Sequence, residues 1–398
     1  MTPSFRLLPF AVLLFILPFP GTVALRLLAL AAGLVVCAWY CHKAGFPRVP
    51  AGYALLLWAG CALASLTTAI DPDYSLGEIK NEIGYAMAAY LGFITVTRTR
   101  EDAGFFVKAL ILGSLVLAAF ALWEHFSAGT AYWNESGRAG GSGSYSTYLL
   151  TLFPALLWAG SVLRHKHRWI LISCLVLLQL GVAALVGQRA FWLVFGLQAL
   201  LGLYLLRSRG FIAISRLWLR AAGVAVVTLC SLAIIGTAAT RFTVSLEQDP
   251  RVTGWPAIAE RILEHPLEGK GFGRQTMKNA YPDLVSQKYP LFWHPHNLFL
   301  NYGVAMGIPG TISIALLFFM LLRKFWKLSQ DGDRMIAMAG ICGVLLVAGA
   351  VARNLANDFF QRDLALLFWA IAGMLLGYAN RAGEAGMPVQ SGGDGNSL

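Results

Sequence analysis

His294-Pro295-His296-Asn297-Leu298-Phe299-Leu300-Asn301-Tyr302-Gly303-Val304-Ala305-Met306-Gly307-Ile308-Pro309-Gly310 is the stretch on which the reading of this chain turns. An imidazole and an amide, His296 and Asn297, stand where a polar loop ends and an apolar segment begins. In a membrane protein that junction is the boundary between water and lipid. A titratable side chain there reaches a soluble substrate and a lipid headgroup at once. Histidine, with an unperturbed pKa of about 6.5, suits proton transfer near neutrality. The bland alternative is helix capping: Asn is a good N-cap, and Pro295 sits well near a helix start. His294, beside Trp293, reads as an interface anchor.

The rest of the chain supports the membrane setting. Of its 398 residues 57% are hydrophobic and 13% charged, about half the charge of a soluble globular chain. Mean hydropathy is +0.63. Apolar runs recur along nearly the whole length, so length counts helices more than domains. The net charge of +11 would suggest nucleic acid in a soluble protein. Here the positive-inside rule accounts for it, and nucleic-acid binding is not expected. The six cysteines lie in or beside apolar segments, with no CxxC pair and no Cys/His metal spacing. Neither a disulfide framework nor a metal site is therefore expected.

A helix crossing the hydrocarbon core needs about 20 apolar residues. Candidate spans fall at roughly 5–20, 22–41, 51–70, 80–97, 103–126, 145–163, 169–187, 190–206, 221–238, 297–322, 335–352 and 363–380. The fold class is thus an all-α polytopic membrane protein of about twelve spans, a single transmembrane domain over 1–380. Residues 5–20 read as a retained first span, not a signal peptide. The connections alternate in charge. One set is basic, including Arg48, Arg98, Arg100, Arg164, Arg207, Arg323, Lys324 and Lys327; the other is mixed or acidic. The basic set is assigned to the cytoplasm with both termini, the 381–398 tail being disordered. The long loop 239–296, between spans nine and ten, then shares the outer side with Arg189, Gly137–Ser144 and His296. Within it, Trp255, Ile258, Ala259, Ile262 and Leu263 recur at helical spacing opposite Glu260, Arg261 and Glu264, an amphipathic helix on the membrane or on the bundle. His265-Pro266 ends it, and Gly269, Gly271 and Gly273 follow as a flexible turn.

Few residues are candidates for chemistry. Arg189, in Gly187-Gln188-Arg189-Ala190, stands between two apolar runs with almost no loop to absorb it. It either snorkels to headgroups or pairs with an anion, and the second is preferred, since its planar fork suits phosphate oxygens. Arg251 opens the amphipathic helix. It is equally a solvated residue paired with Glu247 or Asp249. Residues 137–144 either form a flexible loop or offer backbone NH groups to phosphate with Arg138 adding charge. Asp71-Pro72-Asp73 is a turn, with Ser75 capping a helix over 76–83, and not a metal site. Asp358, Arg362 and Asp363, with Arg353, should pair with one another or with the long loop.

Three pieces of the chain resemble the O-antigen ligase and O-antigen polymerase superfamily of bacterial envelope glycosyltransferases. They are Gly187-Gln188-Arg189-Ala190; Arg251-Val252-Thr253-Gly254-Trp255 followed by His265-Pro266-Leu267-Glu268-Gly269-Lys270-Gly271-Phe272-Gly273; and His296-Asn297-Leu298-Phe299-Leu300 leading to Gly303 and Gly307-Ile308. The segment 137–148, with Arg138, is similar to the family's Arg-Gly stretch before span six. The resemblance implies a GT-C-type architecture in the bacterial inner membrane with its active site facing the periplasm. It implies a polysaccharide donor on undecaprenyl pyrophosphate, a sugar hydroxyl of lipid A-core as acceptor, and an inverting, metal-independent reaction without cofactor. Carried onto this sequence, Arg189 and Arg251 hold the pyrophosphate and His296 takes the acceptor's proton. Asn297 orients the base or the sugar, and Arg138 is a further substrate contact. The chain lacks the C-terminal region common in the protein O-oligosaccharyltransferase branch, which favours a ligase. A polymerase shares donor and topology and stays open. A lipid-linked glycan transporter is the alternative of another class. It would carry ionisable groups near the bilayer midplane and broken helices, where this chain gathers polar residues at one surface.

Overall fold

The computed structural model describes residues 3–128, 141–213, 215–241, 250–285, 293–358, 360 and 362–385. Arg138, Glu247, Asp249 and residues 386–398 lie outside them. Among the described residues the chain is helical without strands, in the order α1 (Pro3–Arg6), α2 (Leu8–Ile16), α3 (Val23–Ala44), α4 (Gly52–Ala64), α5 (Pro72–Glu78), α6 (Tyr85–Val96), α7 (Arg100–Ala128), α8 (Ser142–Val162), α9 (Arg168–Val186), α10 (Arg189–Ser208), α11 (Arg216–Arg241), α12 (Pro250–Glu264), α13 (Thr276–Ala280), α14 (Leu298–Leu328), α15 (Arg334–Leu355) and α16 (Arg362–Ala385). The last helix therefore runs five residues into the stretch expected to be a disordered tail.

Eight of these helices, α3, α7, α9, α10, α11, α14, α15 and α16, are long and apolar enough to cross a membrane. The protein is a multi-pass membrane protein. Four of the expected spans are helical but do not reach that standard. α2 has only nine residues, with Phe10, Leu13 and Leu14 at most 1% exposed. It fills the interior beside α3 and α7 and meets little lipid. α4 with its terminal 3₁₀ turn, and α6, are short. α8 is long enough but carries a row of hydroxyls, among them Ser146, Thr147 and Thr151.

The bundle closes around α16. Trp369 at its centre lies against Trp58, Tyr90, Phe360 and Phe368. Between membrane helices lipid supplies no hydrophobic drive, so close backbone approach must hold them. A Cβ on Gly373 or Gly377 would stand 2.6 or 2.7 Å from the carbonyls of Tyr90 and Ile94 on α6, so only glycine lets these helices meet. At the periphery, α11 is almost wholly exposed, with Leu217, Val224, Leu229 and Ile235 outward as a lipid-facing surface requires.

The two ends of the bundle differ in charge. At one, Arg100 donates to the carbonyls of Ser161 and Val162, Arg164 pairs with Glu101, and Asn380 donates to the Arg48 carbonyl. This is where the basic connections collect. The other end holds the α9–α10 junction, the α12–α13 region, the start of α14 and the α15–α16 link. Near Asp71 the expected capping is corrected. Asp71 itself caps α5, its carboxylate accepting from the Tyr74 N–H at 2.9 Å, and the helix begins at Pro72, because a β-region Asp before a proline is the better cap.

Candidate functional site

The site rests on a break in α14. At Gly307 the backbone leaves the helix, with φ 69° and ψ −173°, and Pro309 follows. A break frees carbonyls that lipid cannot satisfy. The loop after α12 satisfies them: the N–H groups of Lys270 and Gly271 donate to the carbonyls of Val304 and Ala305 at 2.8 and 3.1 Å. In return the Ile308 N–H donates to the Pro266 carbonyl at 2.8 Å. The fit is so close that a Cβ on Gly269 would overlap the Ala305 carbonyl. Gly269, Gly271 and Gly273 are therefore not the flexible turn expected from composition; they are close contacts, Gly269 against the α14 backbone, Gly271 against Ser75 and Ala69, and Gly273 against the Tyr74 side chain. The expected span 297–322 becomes two pieces. From Ile308 to Leu328 the helix is about 30 Å long at about 1.5 Å per residue, which alone matches the hydrocarbon thickness.

α12 lies on the upper piece of α14. Ile258 and Ile262 pack with Met277 and Val304, as the apolar spacing predicted, and Arg261 on the other face pairs with Asp283 at 2.9 Å. Leu263, assigned to the apolar face, is exposed instead. Trp255 donates its indole N–H to the Pro295 carbonyl at 2.7 Å, tying α12 to the His-Pro-His loop.

That loop carries the chemistry. His294 is not an interface anchor: it is 2% exposed, in a cluster with Arg274 and Asp358. Arg274 Nη2 meets His294 Nε2 at 2.7 Å, and Arg274 Nε donates to Asp358 Oδ2 at 3.2 Å. A guanidinium only donates, so Nε2 of His294 is the acceptor there; Nδ1 lies 3.2 Å from the His296 backbone N–H and 3.5 Å from Asp358 Oδ2. Arg274 also lies over the Trp293 ring at 5.1 Å.

The His296 ring lies against His294, centroids 3.8 Å apart and planes tilted by 43°, and its own backbone is left-handed at φ 52°. A non-glycine residue there is strained, and such strain gathers at functional sites. Its Nδ1 faces Asn357 Oδ1 at 3.3 Å, and that oxygen also accepts from the Asp358 N–H at 3.1 Å. An acceptor opposite Nδ1 places the proton there, which makes Nε2 the basic nitrogen. Asn297 is the N-cap of α14: its Oδ1 accepts from Phe299 and Leu300, while Nδ2 donates to the Leu355 carbonyl at 2.8 Å. Both ends of that amide thus fix the loop against α15.

Among the arginines, Arg251 lies within electrostatic reach of His294 and of Arg353. Arg189 starts α10, half-buried, after Gly187 caps α9 at φ 68°. Its neighbour Gln188 donates to Ser142 Oγ at 2.7 Å. From there Arg353, 1% exposed, reaches the same helix start through Thr147 Oγ1 at 3.0 Å and the Gly143 carbonyl at 3.5 Å. Arg353 closes α15, whose next residues hold Asn297 and His296. So hydrogen bonds tie the α9–α10 junction to the start of α8, the start of α8 to the end of α15, and the residues that follow Arg353 to the histidine loop. Asp358 pairs with the loop, as expected, and Asp363 with Arg26, while Arg362 meets Glu78 at 3.5 Å.

The sequence placed Arg353 with the last outer connection but gave no sign of its bonds to Thr147 and Gly143 at the start of α8. It gave no sign either of Asn357 or of the partners of Arg274.

The buried pair makes stability depend on pH in a defined way. Burial, only partly offset by Arg274, raises the Asp358 carboxyl to about 6, and burial with the charges of Arg274, His296 and Arg251 lowers His294 to about 2. Below the ordinary 6.5 of histidine the unfolded chain gains a proton that folded His294 refuses, so stability falls by about 1.4 kcal/mol per pH unit. From about pH 6 down to about 3.8, folded Asp358 holds a proton that the unfolded chain does not, which raises stability by the same slope. The two slopes cancel. Relative to wild type, Asp358→Asn should therefore lose stability from pH 6 to pH 5, by about 1 kcal/mol, and His294→Gln should gain it. Thermal melting in detergent at both pH values checks this; identical pH slopes in all three proteins would contradict it.

A search of curated proteins found no match. Residues 174–315, which hold Arg189, Arg251, the Gly269–Gly273 loop, His294, His296, Asn297 and Gly307, match the sequence profile of the O-antigen ligase family. This match, over about a third of the chain, supports assignment to that family. Its members are glycosyltransferase-like enzymes that act on lipid-linked glycans.

Proposed function

We propose, from the premise of this O-antigen ligase family assignment, that the protein joins a polysaccharide to lipid A-core. The donor is the glycan on undecaprenyl pyrophosphate and the acceptor a sugar hydroxyl. The observation that carries the reading is the orientation of His296: Nδ1 toward Asn357 Oδ1, hence Nε2 as the lone-pair nitrogen, at the bundle end where guanidinium groups gather.

In the reaction the acceptor O–H gives its proton to His296 Nε2 as the oxygen attacks the anomeric carbon. The bond from that carbon to the pyrophosphate oxygen breaks, and the electron pair leaves with the pyrophosphate. A single displacement inverts the anomeric centre. Arg189 and Arg251 face the growing negative charge and supply its stabilisation without a metal. Asn297 acts by holding the loop on which His296 stands. Arg138 adds a contact to the donor. The fold in this proposal is the twelve-span GT-C arrangement in the inner membrane, with both termini in the cytoplasm and the histidines facing the periplasm.

The break in α14 is a feature that would suit a transporter. It is closed by the loop's N–H groups, so bond formation at the surface is the better reading.

The test is transfer by the purified protein, reconstituted with polysaccharide-linked undecaprenyl pyrophosphate and lipid A-core. Product only when a second lipid-linked glycan replaces the core would make it a polymerase instead. Arg251→Lys keeps the charge but loses the two-pronged geometry, and transfer should fall about tenfold. Unchanged rates at limiting donor would remove Arg251 from the pyrophosphate site.

A further inference from the structure

We propose that the bundle end opposite the histidines holds a second anion site, which takes the phosphodiester headgroup of an anionic phospholipid. A cavity of about 590 Å³ opens there between the link from α3 to α4 and the final turns of α14 and α16. Arg48, Arg323, Lys324 and Lys327 line it, with Asp331 the one carboxylate in its wall among the described residues. Asp331 accepts from the Asp333 N–H at 2.9 Å and makes no ion pair with these cations. Lys324 lies half-buried within electrostatic reach of both Lys327 and Arg48. Like charges gathered in a cleft repel unless an anion sits among them.

The cavity is built, not merely a solvated face. Tyr90, wholly buried, donates its hydroxyl to the Pro50 carbonyl at 2.9 Å, and Asn380 donates to the Arg48 carbonyl at 3.2 Å. Directly after these clamped carbonyls Ala51 stands at φ 58°, a conformation an alanine avoids unless its surroundings impose it. The linker bearing Arg48 is thereby fixed facing Lys324 and Lys327.

The walls choose between sources of phosphate. Val49, Met320, Leu328 and Ile336 form an apolar side to the same cavity. A soluble phosphate would leave that side against water. A phospholipid sets its phosphate on the cations and its glycerol and first acyl carbons on the apolar wall. The site is on the order of 40 Å from Asn297 along α14, at about 1.5 Å per residue, so it is separate from the histidine site and does not depend on the function proposed for it.

The test uses the full-length protein in detergent, with phosphatidylglycerol, phosphatidylcholine or inorganic phosphate added, read by native mass spectrometry and thermal melting. We expect one phosphatidylglycerol to stay bound, and to raise the melting temperature at concentrations where the other two do not. The triple variant Arg48→Gln, Lys324→Gln, Lys327→Gln should bind phosphatidylglycerol at least tenfold more weakly, while Lys324→Arg with Lys327→Arg retains it. Should the triple variant not fold, Lys327→Gln alone, at an exposed position, should still weaken binding about threefold. Equal binding of the two lipids, or unchanged affinity in the glutamine variants, would overturn the proposal. Equal stabilisation by inorganic phosphate would assign the cavity to a soluble anion and overturn the lipid.

Discussion

His296→Ala should lower glycan transfer by roughly 100- to 10,000-fold, the range contributed by a positioned general base. The side chain sits on a loop fixed at three points: Trp255 on Pro295, Asn297 on Leu355, and its own Nδ1 on Asn357. Truncation removes the proton acceptor together with the ring's contacts to His294 and Asn357. Melting temperature and donor retention should stay near wild type, which separates loss of chemistry from loss of fold. Added imidazole should restore part of the rate. Asn357→Ala should act more weakly and in the same direction, because it frees the ring to place its proton on either nitrogen. Full transfer by His296→Ala would remove the base assignment and leave His296 as a strained loop residue.

Gly269→Ala should damage both the fold and the activity. The added methyl would overlap the Ala305 carbonyl, which is backbone and cannot rotate away. If the loop retreats, the carbonyls of Val304 and Ala305 lose the N–H groups of Lys270 and Gly271. Each buried acceptor left unpaired costs about 1–3 kcal/mol, so the whole change is worth several kcal/mol. We expect a fall in melting temperature together with loss of transfer, since the upper piece of α14 carries Asn297 and so the setting of His296. Gly332→Ala, where nothing stands within 4 Å, is the matched control and should be neutral. A Gly269→Ala protein that melts and transfers like wild type would mean that the loop does not support the break.

The sequence carried those parts of the fold that depend on local periodicity. Apolar runs give the long helices, and the spacing of Ile258 and Ile262 gives α12 with its buried face. Asn297 reads as a cap, and is one. Features set by distant partners were not legible. His294 looks like an interfacial residue beside Trp293 because nothing in the sequence says that Arg274 and Asp358 meet it. The glycines after Pro266 look like a hinge because glycine serves both freedom and close approach, and only the positions of Ala305, Ala69, Ser75 and Tyr74 decide between them. α2 looks like a span because burial by protein and burial by lipid demand the same residues. The residues of 137–140, with Arg138, lie outside the described structure, so that part of the sequence reading stands as a proposal only.

The break at Gly307 bears on how the protein is made. A continuous helix can enter the bilayer as a finished rod, its backbone satisfied from within. This helix cannot, because two of its carbonyls are answered by residues about 35 positions earlier in the chain. Those residues leave the ribosome first, so the donors exist before the acceptors do. Insertion of the tenth expected span is therefore a joining of two parts made in the right order. A rearrangement of the gene that placed this helix ahead of its loop would present bare carbonyls to lipid.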